Sequence, residues 1–181
     1  MDVPRLAAEL AKESQAGTAG TEPFNSMTFA EMVSRGRDGA TALAPLITQA
    51  DRSSLLSLLA LRKMSKEDYQ KLKPELRVGI LTSSLKTQTY FNTFGMPAHW
   101  EDAARAIIEE GRAAEKPLLE MLSDHRDAPS WGSEQSMEYR RFKYRVSDYA
   151  WALLNEIRGQ KVQMPEDPAA RDRLQSQMKP S

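Results

Sequence analysis

The chain has 181 residues, of which 40% are hydrophobic, and its 25 Lys and Arg residues balance its 25 Asp and Glu residues to a formal net charge of zero. This length suits one domain with a substantial core or a short solenoid, and the zero net charge leaves no overall field to hold a nucleic acid or an anionic membrane. No cysteine is present, which excludes disulfides, thiol nucleophiles and thiolate metal sites.

The N-terminal stretch MDVPRLAAELAKES contains no apolar signal core. No apolar run elsewhere approaches the roughly 20 residues that span a bilayer. The sequence therefore predicts a soluble chain without a transmembrane segment, cytoplasmic by default. A periplasmic or membrane-anchored location stays open if a signal or lipoprotein segment was removed.

Helical spacing of apolar residues runs through most of the chain and predicts an all-α fold of about 8–10 helices. The first helix has Pro4 in its first turn and precedes a stretch rich in Gly, Thr, Ser and Pro, so residues 1–26 are predicted to form an N-terminal helix and a flexible linker. The LLSLLAL segment is apolar nearly all round, which indicates the most buried helix. Further helices are predicted at about residues 27–35, 38–50, 52–62, 65–72, 74–85, 100–110 and 113–124.

A long helix is predicted at about residues 134–158, because one unbroken apolar stripe crosses the segment EYRRFKYRVSDYAWALLNEIRG. The basic residues then lie on its solvent side, where Glu138 pairs with Arg141 and Arg145 pairs with Asp148, each three positions apart. A nucleic-acid site would need basic groups and exposed aromatic rings on one face. The pattern therefore favours a solvated helix face and predicts no nucleic-acid binding.

The last segment, residues 160–181, is polar and interrupted by prolines, which predicts a C-terminal tail. Residues 27–159, between the linker and this tail, are predicted to form a single all-α domain.

Two segments within that domain, residues 32–48 and 107–123, align without gaps 75 positions apart. Each is predicted to contain a helix that ends at a glycine with positive φ, followed by an antiparallel helix that packs back. Stacked units of this kind bury their apolar faces as α-solenoids do, although any two helical hairpins with glycine turns share these features. The matching pairs are Met32/Ile107, Val33/Ile108, Gly36/Gly111, Arg37/Arg112, Leu43/Leu118, Leu46/Met121 and Ile47/Leu122.

The order EDAARAIIEEGRAAEKPLLEMLSD, then RVSDYAWALLNEIRG, resembles HEAT repeats, especially the short bacterial HEAT-like repeats of phycobilin lyases. The resemblance covers residues 100–124 and 144–159, and 30–62 more weakly, whereas residues 63–99 and 125–143 depart from the repeat. It implies a HEAT-like α-solenoid or an irregular helical bundle that presents a curved face to another protein. The matching residues are Gly111, Pro117, Leu118, Leu119, Leu122 and Asp124 in one helix pair, and Arg145, Ala150 and Leu153, with a longer Arg-to-Ala spacing, in the other.

The chain has only two histidines, His99 and His125. His99 is close in sequence to Glu101 and Asp102, a set that could supply acid–base chemistry, although carboxylates at a helix start also complement the helix dipole. His125 ends a predicted helix, where it has a structural use. Metal-ligand spacings, phosphate-binding glycine loops and nucleophile elbows do not occur, so the sequence predicts no cofactor and no metal, and favours a non-catalytic protein.

Two loops, at residues 88–100 and 126–133, carry more large apolar side chains than loops usually do. We call them the aromatic loops. Their side chains either complete the core, form a partner-binding rim, or line a small ligand pocket where the loops meet. The candidate partner-contact residues are Phe94, Met96, Trp100, Trp131, Arg140, Arg141 and Trp151.

These observations favour a non-catalytic protein–protein interaction module or an accessory subunit of a larger assembly, which presents a helical face and the aromatic loops to a protein partner. The alternative is a small enzyme or ligand-binding protein with a pocket between the aromatic loops, where His99, Glu101 and Asp102 would be polar members. The open ends of a short solenoid also allow a homo-oligomer.

Overall fold

Helices dominate the computed structural model of the chain, which describes residues 1–17, 23, 25–97 and 99–178. This confirms the predicted all-α fold class. Within those ranges, no helix is long and apolar enough to cross a membrane. The helices are α1 (Val3–Ala16), α2 (Met27–Ser34), α3 (Gly36–Leu43), α4 (Leu55–Met64), α5 (Lys66–Lys71), α6 (Pro74–Thr87), α7 (Asp102–Glu110), α8 (Glu115–Glu120), α9 (Ser133–Phe142), α10 (Val146–Ile157) and α11 (Pro168–Ser176).

Short 3-10 turns and one small hairpin complete the described secondary structure. The 3-10 turns are Ala44–Leu46, Arg52–Ser54, Gly111–Ala114 and Met121–Ser123. The hairpin pairs β1 (Gly95–Met96) with β2 (His99–Trp100) in antiparallel register. The hairpin lies inside a segment that the sequence predicted to be a loop. The prediction missed it because two-residue strands are too short to show an alternating pattern.

The chain divides into two compact units, Met1–Thr87 (unit 1) and Gln88–Ser181 (unit 2). The boundaries predicted after residues 26 and 159 stay predictions. The predicted linker before residue 27 lies mostly outside the described residues.

Helix α4 forms the centre of unit 1. Every residue of its LLSLLAL segment, Leu55–Leu61, is buried, as predicted from its apolar character on all sides. Helices α1, α2, α3, α5 and α6 all contact α4. Helix α1 docks through the fully buried Leu6 and Leu10, and the buried Ser14 hydroxyl accepts a hydrogen bond from the Leu56 amide at 3.1 Å. The N-terminal helix is therefore part of the core of unit 1.

Helix α10 has the corresponding position in unit 2. Its residues Val146–Asn155 are all buried, so it is enclosed over a longer stretch than α4. It contacts α7, α8, α11 and the Met121–Ser123 turn. Each unit therefore builds its core around one helix that is buried along most of its length.

Each unit also contains one of the two similar segments found in the sequence. Gly36 has φ 57° and Gly111 has φ 58°, as expected for glycines that end one helix and allow the next to turn back. The equivalent Leu43 and Leu118 are both fully buried. The helix–glycine–helix geometry is thus present in both units, while the HEAT-like assignment stays a prediction.

The single helix predicted at residues 134–158 is wrong, because the chain breaks between α9 and α10. Lys143 has φ 51°, the only positive value for a non-glycine residue among those described. The following backbone pairs with the second aromatic loop: the Ala128 amide donates to the Tyr144 carbonyl at 2.8 Å, and the Val146 amide donates to the Arg126 carbonyl at 3.0 Å. These long-range hydrogen bonds replace those that a continuous helix would make.

The predicted C-terminal tail contains α11. Asp167 caps this helix, since its carboxylate accepts hydrogen bonds from the Ala169 and Ala170 amides, and Pro168 occupies the first turn. Its buried side chains are Arg171 and Gln175. The polar composition that suggested a tail therefore belongs to a helix that docks through polar groups.

Candidate interaction site

The aromatic loops are joined directly to each other. The Phe91 amide donates to the Pro129 carbonyl at 2.9 Å, and the Asn92 side chain makes two hydrogen bonds with the Trp131 backbone, at 2.8 and 3.0 Å. The loops therefore support each other at their backbones.

Most of the aromatic side chains on these loops lie in the core of unit 2 around Tyr149. The Tyr149 ring is 4.8 Å from Phe91 and 6.1 Å from Trp100, measured between ring centroids. Its hydroxyl, which is buried and has a raised pKa because burial penalises the phenolate, donates to the Gly95 carbonyl at 2.8 Å. The loops thus complete the core, which was one of the three alternatives that the sequence left open.

The candidate partner-contact residues fall into two groups. Four are buried inside unit 2, where they contact their own chain, and the other three reach the surface to different extents. Phe94, Met96, Trp100 and Trp151 are buried, Trp131 is half-buried, and Arg140 and Arg141 are exposed.

The candidate catalytic residues lie at the β2–α7 junction. His99 and Glu101 are exposed and Asp102 is half-buried. The described residues include no hydrogen bond that joins these three side chains to one another, and no group of three or more His, Asp or Glu side chains placed to hold a metal ion. The Glu101 amide donates to the Phe94 carbonyl at 3.0 Å, which closes the hairpin onto α7. The observed contacts of this region are structural.

A buried ion-pair network, which sequence reasoning missed, connects α10 to α11. We call Asp148, Arg145, Arg171 and Gln175 the Asp148 network. The Asp148 carboxylate is fully buried and accepts from the Arg145 amide at 2.9 Å and from its guanidinium at 3.1 and 3.2 Å. It also accepts from the Gln175 amide group at 2.7 Å, and Arg171 Nη1 lies 3.0 Å from Oδ2. One carboxylate therefore contacts two arginines.

The network extends outward through Asp172. Its carboxylate accepts from Arg145 Nη2 at 2.7 Å and lies 3.9 Å from His125 Nδ1. The hydrogen bond from Arg145 lowers the pKa of Asp172 below its ordinary value. Burial lowers the pKa of Arg171, whose Nη2 donates to the Phe142 carbonyl at 2.7 Å. These contacts attach α11 to the end of α9 and the start of α10.

Helix α9 carries a row of exposed side chains next to the Asp148 network. The side chains of Glu134, Met137, Arg140 and Arg141 are all exposed, and they recur three or four positions apart. We call these four residues the α9 face. The Met137 side chain is 64% exposed. The face combines an apolar side chain with two guanidinium groups.

A groove of about 360 Å³ adjoins the α9 face. Its wall includes Arg141, whose Nε donates to Glu166 at 2.8 Å and whose guanidinium lies 5.3 Å from the Phe142 ring. The Phe142 ring stacks on Tyr144 at 5.1 Å between centroids. The groove is lined by Arg141, Phe142, Gln163, Met164, Pro165 and Glu166.

The side-chain pairs predicted for residues 138–148 are partly confirmed. Arg145 and Asp148 do pair, but in the interior, where they form a capping box at the start of α10. Glu138 instead accepts from the Tyr144 hydroxyl at 2.7 Å, and Arg141 binds Glu166. The sequence does carry one signal for α11, since Asp167 and Pro168 are typical of a helix start.

Comparisons with protein-family models, with curated proteins and with solved structures find no match for this chain.

Proposed function

We propose that the chain is a non-catalytic protein–protein interaction module, an accessory subunit of a larger assembly, and that the α9 face is its contact surface. The observation that carries this proposal is the exposure of Met137 beside Arg140 and Arg141. Methionine and arginine are enriched at protein interfaces, and arginines combine charge with a broad apolar surface. The resemblance to HEAT repeats implies the same kind of role.

The poor burial of α9 supports the proposal. Residues Glu134–Phe142 include no buried side chain, and an isolated helix of ten residues is marginal in water. Single side chains hold the helix instead: Ser136 donates to the Ser130 carbonyl, Glu138 accepts from the Tyr144 hydroxyl, and Phe142 stacks on Tyr144. A partner that covered the α9 face would supply the burial that its own chain does not.

The charge of the surface indicates the chemistry of the partner. Arg140 and Lys143 are exposed at the end of α9, and Arg141 beside them already pairs with Glu166. A partner that places carboxylates opposite this end and an apolar pocket opposite Met137 would complement it. The alternative, a ligand pocket between the aromatic loops, has less support, because the loops bond to each other and their rings fill the core.

Reversing the character of the α9 face tests the proposal. The wild-type chain should capture a partner from cells that produce both proteins, and the Met137→Glu/Arg140→Glu variant should lose that partner. We expect the affinity to fall about tenfold or more, which corresponds to about 1.4 kcal/mol of binding free energy. Affinity capture followed by quantitative mass spectrometry measures the loss. The matched control is Met27→Glu/Lys63→Glu, two exposed residues of unit 1.

Equal capture by the variant and the control would contradict the proposal. Near-UV circular dichroism should show that the variant keeps its tertiary structure, since neither replaced side chain is buried.

A further inference from the structure

Helix α1 forms one wall of a groove of about 270 Å³ in unit 1. The wall consists of Pro4, Ala7, Ala8 and Ala11, which recur three or four positions apart and so share one face of the helix. These positions span about 10 Å along the helix axis. The wall is apolar, and its small side chains leave space beside the helix. We call this feature the α1 groove, and its other lining residues lie between positions 46 and 57.

The α1 groove has an exposed rim and a buried floor. Leu46 at the rim is 45% exposed, whereas Ile47, Ser54 and Ser57 are 4%, 8% and 6% exposed and form the floor. Lining residues on a flat patch of surface would all be exposed to a similar degree. The groove is therefore a depression whose floor belongs to the core of unit 1.

Two serine hydroxyls at the floor make no hydrogen bond to any described residue. Ser54 is the N-cap of α4, where a serine side chain commonly accepts from a helix amide, but it makes no such bond. The Leu56 amide donates to the Ser14 hydroxyl instead, at 3.1 Å. The oxygens of Ser54 and Ser57 are not among the partnerless polar atoms that are sealed from solvent. Because both side chains are more than nine-tenths buried, the space that these oxygens reach is the groove.

The α1 groove is also electrically neutral, since none of the described residues that line it carries a charge. The charged residues next to it in sequence bind elsewhere. Asp51 accepts from the Ser53 amide and hydroxyl, and Arg52 donates to the Thr87 carbonyl. A charged ligand would lose hydration here without meeting a counter-charge, whereas a neutral polar group needs only a hydrogen bond.

We propose that the α1 groove binds a small neutral molecule with an extended aliphatic chain and a hydroxyl or carbonyl group at one end. The chain lies along the alanines of α1, and the polar end forms hydrogen bonds with Ser54 and Ser57. At roughly 30 Å³ for a group the size of water, the groove holds about nine non-hydrogen atoms. The site lies in unit 1 and does not involve the α9 face, which belongs to unit 2.

The probe for this site is n-octanol, which has about that number of non-hydrogen atoms. We expect n-octanol to bind the full chain saturably at one site. In a nitrogen-15-labelled chain, the amide resonances of Ala8, Ala11 and Ile47 should shift with a single dissociation constant. Octanoate, which has the same chain length and a charged end, should bind at least about tenfold more weakly because the groove offers no cation.

Two variants test the wall and the floor separately. Ala11→Leu fills the groove with a larger side chain, and Ser54→Ala/Ser57→Ala removes both hydroxyls. Each change should weaken n-octanol binding about tenfold or more, through lost space in one case and lost hydrogen bonds in the other. The matched control Ala30→Leu adds the same side chain at an exposed position of α2 and should bind like the wild-type chain.

Binding of n-octanol that does not saturate, or that the serine variant leaves unchanged, would overturn the proposal. Octanoate that bound as tightly as n-octanol would also overturn it, because the site would then not select a neutral ligand. Far-UV circular dichroism should show that the serine variant stays folded, since neither serine loses a hydrogen bond to the chain. That variant decides the outcome if leucine at position 11 perturbs α1.

Discussion

Asp148 is a fully buried carboxylate through which α10 contacts α11. Its buried carboxylate accepts hydrogen bonds from Arg145 and Gln175 and pairs with Arg171. Replacing a whole buried ion pair with apolar residues can leave the free energy of unfolding unchanged. Removing only one partner lowers it, because a buried charge is left uncompensated. We therefore expect the loss of one partner to cost more stability than the network as a whole contributes.

Asp172 gives unit 2 a pH-dependent contribution to stability. Its pKa is lowered in the folded chain by the hydrogen bond from Arg145, so folding favours the ionised carboxylate. The stabilisation is fully present above about pH 4, near the unfolded pKa, and is lost as the pH falls through the lower folded pKa. We expect Asp172→Asn to lower the urea midpoint at about pH 6, and we expect this difference from the wild-type chain to shrink as the pH falls below about 4.

Tryptophan fluorescence measures this effect in unit 2, because the three tryptophans, at positions 100, 131 and 151, all lie there. The control Glu156→Gln removes an exposed carboxylate of the same unit and should follow the wild-type profile. If the difference between Asp172→Asn and the wild-type chain were constant from acid to neutral pH, the ionised Asp172 would not be the stabilising species.

At the scale of elements, the break between α9 and α10 determines how unit 2 is built. A continuous helix would keep the backbone of residues 143–145 away from the second aromatic loop. The break lets Tyr144 and Val146 pair with that loop, and it lets Arg145 cap α10. The conformational cost of a left-handed backbone at Lys143 is thus offset by hydrogen bonds between distant parts of the chain.

Two substitutions of Lys143 distinguish the break from a continuous helix. With φ 51° at this position, we expect Lys143→Gly to be more stable than Lys143→Val by about 1–2 kcal/mol, because a left-handed conformation is free for glycine and strained for a β-branched residue. In a helix interior the order would be reversed, since valine is the better helix former.

Urea unfolding followed by tryptophan fluorescence gives the two values, and both variants lose the same Lys143 contact with the Tyr139 ring, so that contact cancels in the comparison. A valine variant as stable as the glycine variant would argue for an unbroken helix.

At the scale of the whole molecule, each unit has the parts of a self-sufficient core. Unit 1 surrounds α4 with five helices, and unit 2 surrounds α10 with α7, α8 and α11. Domains with their own core commonly fold alone. We expect fragments 1–87 and 88–181 each to be helical and to unfold cooperatively, as measured by circular dichroism during heating.

Leu58→Ala is a control for the first fragment. Leu58 is fully buried, so its truncation should lower the stability of fragment 1–87 by about 2–5 kcal/mol. A broad, non-cooperative transition in either unsubstituted fragment would mean that the unit needs the rest of the chain.

Local features of the molecule followed from local patterns in the sequence. The helix predicted at about residues 65–72 begins after Ser65, whose hydroxyl accepts from the Asp68 amide at 3.1 Å, as a serine at a helix start commonly does. Gly36 and Gly111 take the predicted positive φ. Arg140 and Arg141 are exposed, as an acidic and basic helix face predicts. Each of these outcomes depends on residues within one or two helical turns.

Other parts of the site depend on contacts that no local pattern contains. The break at Lys143 needs Arg126 and Ala128 as hydrogen-bond partners, and the burial of Asp148 needs Arg171 and Gln175 from a segment that looked like a tail. The aromatic loops could face solvent or the core on sequence grounds, and their burial depends on Tyr149.

By itself, the sequence determined the all-α class, the apolar helix at the centre of unit 1 and the glycine turns, because helix formation and amphipathicity are set over a few residues. Only the tertiary structure decided where the long apolar stripe breaks, that polar α11 docks, and which aromatic side chains are buried. The physical reason is that hydrogen bonds and ion pairs between distant segments can override local helix propensity, and their partners are identified only when the chain is folded.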